Sequence, residues 1–72
     1  MTPRARSFLQ DVIEVSNRPF FTYPENREDF YRSELAYIVR QIARKGKSAR
    51  FSDEELEWLY REISQRLKDV QK

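Results

Sequence analysis

Seventy-two residues without a cysteine or a histidine have few ways to hold a fold together. A core this small rarely supplies more than about 3–5 kcal/mol, and natural chains of this size often add a disulfide, a metal or a second subunit. Disulfides are impossible here, and a zinc site made of thiolates or imidazoles is excluded. What remains is good helix packing, self-association, or both. The same absences bear on chemistry. An enzyme needs a tuned acid, base or nucleophile, and Ser7, Ser16, Ser33, Ser48, Ser52 and Ser64 have no histidine to serve them. The acidic run Asp53, Glu54, Glu55 and Glu57 lacks the alternating oxygen ligands and central glycine of a calcium loop. Gly46-Lys47-Ser48 lacks the upstream glycine and preceding strand of a phosphate loop. We therefore expect no enzymatic activity, no cofactor, no metal and no small-molecule substrate.

Hydrophobic residues make up 39% of the chain and charged residues 36%, enough apolar content to argue against disorder. The length suits one domain, residues 1–72. No apolar run approaches the roughly 18 residues of a membrane span. Met1 to Gln10 carries arginines but no apolar stretch of the kind a signal peptide needs. With no cysteine, the expectation is a cytoplasmic chain without a membrane partner.

Caps and the helical period predict a small all-α three-helix bundle, with helices over about 3–16, 25–45 and 52–70. The last is the clearest. Ser52 with Glu55 makes a capping box, and Phe51 with Leu56 a hydrophobic staple. Asp53, Glu54 and Glu55 suit the positive end of the helix dipole. Leu56, Leu59, Tyr60, Ile63, Leu67 and Val70 follow as one apolar face.

The middle helix shows Tyr31, Leu35, Ile38, Val39 and Ile42 as its main apolar face. Thr22 with Glu25 is a candidate capping box. Gly46 is placed to close the helix in the left-handed conformation. The first helix takes Thr2 as cap and Pro3 at its first position. It buries Ala5, Phe8, Leu9, Val12, Ile13 and Ser16, and Asn17-Arg18-Pro19 ends it. In the following link, Phe20 or Phe21 is expected to cover one end of the core. The pairs Glu28–Arg32, Glu57–Arg61 and Glu62–Arg66 have the spacing that supports an exposed helix by about 0.2–0.5 kcal/mol each.

Three aromatic residues fall off these faces. Trp58 lies about 160–200° from the Leu56–Tyr60–Ile63 stripe, among Glu54, Arg61, Glu62 and Gln65. Phe30 and Tyr37 fall on the side of the middle helix opposite Leu35 and Ile42, in line with Arg44. One explanation is intramolecular. A middle helix touching both neighbours needs two apolar sides, and Trp58 can be covered by the aromatic link or stack on Arg61 or Arg18. The other is a partner surface, because Trp, Tyr and Arg are enriched at interface hot spots. On that reading Phe30, Tyr37 and Trp58 are anchors, with Arg61 and Arg44 at the rim.

A second candidate is electrostatic. From Leu35 to Phe51 there are five basic residues, Arg40, Arg44, Lys45, Lys47 and Arg50, and no acidic one. Such a cluster can contact nucleic-acid phosphates. It is equally explained by cations complementing a helix C-terminus and a solvated link. The next helix opens with Asp53, Glu54, Glu55 and Glu57, which a DNA groove would repel, so that helix is not expected to read bases. The function expected from sequence is a non-enzymatic protein–protein interaction module, able to self-associate through its off-face aromatics. An accessory nucleic-acid-binding role for segment 40–50 is the alternative.

Overall fold

The caps expected from sequence set the ends of two helices. In the computed structural model, which describes residues 1–19, 24–44 and 50–71, α1 spans Pro3–Ser16, α2 Pro24–Ala43 and α3 Asp53–Gln71. No strand occurs among the described residues. Thr2 Oγ1 accepts the backbone N–H of Ala5 at 3.3 Å, satisfying one of the free donors that begin α1. Where α1 ends, the N–H of Asn17 turns back to the Glu14 carbonyl, 3.2 Å away. The capping box of α3 closes in both directions. Glu55 N–H donates to Ser52 Oγ at 3.2 Å, and Ser52 N–H donates to the Glu55 carboxylate at 2.9 Å. The expectations for Phe20, Phe21, Thr22 and Gly46 lie outside the described residues.

The bundle runs up, down, up. Near the N-terminus of α1, Arg4 meets Glu55 in the first turn of α3. Farther along, Phe8 stacks on Tyr37 of α2, and Ser16 meets Tyr31 one helical stretch earlier, so α1 and α2 are antiparallel. Gln71, at the end of α3, reaches Glu28, near the start of α2. The core between the helices consists of Ala5, Leu9, Val12, Tyr31, Ile38, Phe51, Leu56, Leu59 and Ile63. Ile38, Leu59 and Ile63 are fully buried.

Two faces differ from the expected ones. On α2, Tyr31 and Ile38 are buried, but Val39 and Ile42 are exposed, while Phe30 and Tyr37 are partly buried against the core. The reason is that α2 has a neighbour on each flank. At about 100° per residue, Phe30 and Tyr37 lie on one flank of the Tyr31–Ile38 line, and Leu35 and Ile42 on the other. The first flank serves α1, as the Phe8–Tyr37 stack shows, with ring centroids 6.1 Å apart. On α3, Tyr60 was expected in the buried stripe but is 43% exposed. The buried arc is centred on Leu59 and Ile63, and Tyr60 sits about 60–100° from them at its edge. Moving that centre also moves Trp58 from the far side to a flank, where it is partly buried against the core.

One polar chain is sealed inside. The Tyr31 hydroxyl donates to Ser16 Oγ at 2.9 Å, and Ser16 Oγ donates to the Ile13 carbonyl at 2.8 Å. It ties α2 to the last turn of α1 and satisfies a serine that is only 1% exposed. Replacing Tyr31 by Phe removes the donor and leaves the packing, so stability should fall by about 1 kcal/mol. Urea titration checks this, and a change near zero would show that the bond contributes nothing net.

Candidate functional site

Three surface features stand out, and the helices explain each. The first is the N-terminal end, where α1 and α3 share one carboxylate. Glu55 is buried although it is an acid in a first helical turn. Besides the Ser52 N–H, it accepts the Thr2 hydroxyl and an Arg4 guanidinium N–H at 3.0 Å. The Ser52 backbone bond, then those from Thr2 and Arg4, lower its pKa from 4.5 to about 2. Thr2 caps α1 with the same hydroxyl that it donates to Glu55, so two helix starts are tied together.

The second feature surrounds Arg50. Its guanidinium carbon lies 5.3 Å from the ring centroids of both Phe8 and Phe51, and it donates to the Tyr37 hydroxyl at 3.3 Å. Phe8 and Phe51 meet edge to face at 5.4 Å. Arg4 covers Phe51 at 5.7 Å. Stacking on an arginine was one of the alternatives weighed for Trp58; among the described residues such contacts fall on Phe8 and Phe51. Arg50 also stands near Glu34. Burial raises the pKa of Glu34, and the positive charge of Arg50 opposes that shift. Arg50, itself exposed, is thus held by contacts to two helices, while Arg40 and Arg44 stand exposed on α2 and the turn after it. Lys45 and Lys47 lie outside the described residues.

The third feature is the outer face of the α2–α3 pair. Val39 is 48% exposed, Ile42 38% and Tyr60 43%. Ile42 and Tyr60 line one open groove together with Glu57 and Arg61. Of the aromatic anchors expected from sequence, Phe30, Tyr37 and Trp58 pack against the core, whereas the expected rim residue Arg61 lies in this groove. Arg44 is exposed just beyond the end of α2. Sequence reasoning passed over Val39, Ile42 and Tyr60 because they match the helical period of the core. The available signal was that the apolar arcs of α2 and α3 are wider than one neighbour can cover.

Glu57 and Arg61 have the spacing and order that favour an ion pair along a helix. Among the described residues, Glu28–Arg32 closes such a pair, whereas Glu57 and Arg61 do not pair with each other. No helix among the described residues is long and apolar enough to cross a membrane. In comparisons with known proteins, the chain matches no protein family, no curated protein and no solved structure.

Proposed function

We propose that this chain is a non-enzymatic protein–protein interaction module whose binding face is the outer surface of the α2–α3 pair. The observation that carries the reading is the exposure of Ile42 and Tyr60 in a groove flanked by Glu57 and Arg61, with exposed Val39 one turn from Ile42 on α2. Single exposed apolar residues are ordinary on a protein surface, but neighbouring ones rimmed by charge suit a partner. Tyr60 suits an anchor because it offers a large apolar ring and a hydroxyl at low entropic cost. Arg61 can stack or form a forked hydrogen bond at the rim. Phe30, Tyr37 and Trp58 pack against the core and are not part of this face.

The test places a photo-activated benzoylphenylalanine at position 60, and in a control at the exposed position 10, in cells that make this protein. Irradiation should give discrete protein adducts from position 60 and none from position 10. If position 60 yields no more adduct than position 10, the face meets no protein and the proposal fails.

A further inference from the structure

The α2–α3 groove also indicates its occupant. We infer that it is filled by a second copy of this chain, packed antiparallel across a two-fold axis near Tyr60; this rests on the interaction reading above and names its partner. The outward line of α3 changes sign along its length. Asp53 and Glu57 come first along it and Arg61 and Lys68 follow, and all four are exposed. A parallel copy would set acid on acid and base on base. A two-fold axis perpendicular to α3 produces the opposite register, because it makes the copies antiparallel and joins the same patch to itself. Asp53 and Lys68 are equally far from a centre between Tyr60 and Arg61. In that register the Asp53 of each copy meets the Lys68 of the other, and Glu57 comes within reach of the other copy's Arg61.

Two further observations point the same way. Glu57 and Arg61 line the groove without closing on each other; among the described residues Glu28 and Arg32 at the same spacing close, and Glu62 and Arg66 do not. The groove thus presents both signs, and a partner carrying both in reversed order complements both. The centre between these charges is apolar on both copies, formed by Ile42 and Tyr60, with a guanidinium able to lie on each tyrosine ring. A chain with so small a core also gains stability when association buries such a face.

The experiment is sedimentation equilibrium of the full chain from micromolar to millimolar concentration. It compares wild type, Glu57→Arg, Arg61→Glu and the double exchange, with circular dichroism confirming that each is folded. Wild type should pass from monomer to dimer as concentration rises. Each single reversal places two like-charge contacts across the axis and should raise the dissociation constant about tenfold or more. The double exchange restores opposite signs and should return it to within about threefold of wild type. A monomer at every concentration overturns the inference. So does a single reversal that dimerises like wild type, or a double exchange that recovers nothing. If the chain stays monomeric while position 60 cross-links to a different protein, the self-partner is wrong and the interaction face stands. If position 60 also yields nothing, both readings fall.

Discussion

Leu59→Ala should leave most of the chain unfolded at room temperature. Leu59 is fully buried on α3, at the centre of the arc that faces the other two helices. Removing a buried leucine side chain costs about 2–5 kcal/mol, from lost transfer energy and the cavity left behind. A core of this size supplies only about 3–5 kcal/mol in total. The loss is thus comparable with the whole stability. The neighbouring Tyr60→Ala is the internal control. Tyr60 is 43% exposed in the single chain, so at dilutions where the chain is monomeric the effect should be about 1 kcal/mol, well below that of Leu59→Ala. Thermal unfolding followed by circular dichroism reads both. Equal damage from the two substitutions would contradict the burial pattern, and a near-native transition for Leu59→Ala would show that the core is not centred there.

The contrast between these adjacent residues also shows what could be read in advance. Helix starts depend on residues within one turn, so Thr2-Pro3 and Ser52 with Glu55 were legible and agree with the caps formed. The three-helix architecture follows from those starts and from the helical period. The finer assignment of faces needs the neighbours. A wheel places Phe30 and Tyr37 on one flank of α2 and Ile42 on the other, but only the position of α1 decides which flank is covered. Phe8, far away in sequence, takes the Tyr37 side. Tyr60 was misassigned for a related reason: including it pulled the apparent centre of the α3 stripe away from Leu59. Arg50 reads locally as part of a basic run, and its aromatic partner Phe8 and hydroxyl partner Tyr37 come from other helices. The candidate surface became visible only after these partners had been assigned.

Glu55 was legible as a cap but not as a junction, and the junction sets the pH response. Its carboxyl has a folded pKa of about 2, below the ordinary 4.5. The stability it contributes is therefore fully present above about pH 4.5 and is lost as pH falls toward 2, because the unfolded chain takes up the proton first. Glu34 has the opposite sign. Burial holds its pKa above 4.5, so its ionised form opposes folding at neutral pH. That penalty is relieved as pH falls through its raised pKa and is gone by about pH 4.5. Between them, these two groups should give stability a shallow maximum near pH 4.5, with a gentle slope on the neutral side and a steeper loss in acid. The unfolding temperature of wild type, Glu55→Gln and Glu34→Gln from pH 7 to pH 2 separates the limbs. Glu55→Gln should be clearly less stable than wild type at neutral pH, and the gap should shrink steadily as pH falls from about 4.5 toward 2, as Glu55 takes up its proton. Glu34→Gln should match or exceed wild type at neutral pH and lose the rise toward pH 4.5. A gap between wild type and Glu55→Gln that stays constant across the range would mean that the Thr2–Arg4–Ser52 junction does not depend on its charge, and that the acid limb comes from general charge repulsion instead.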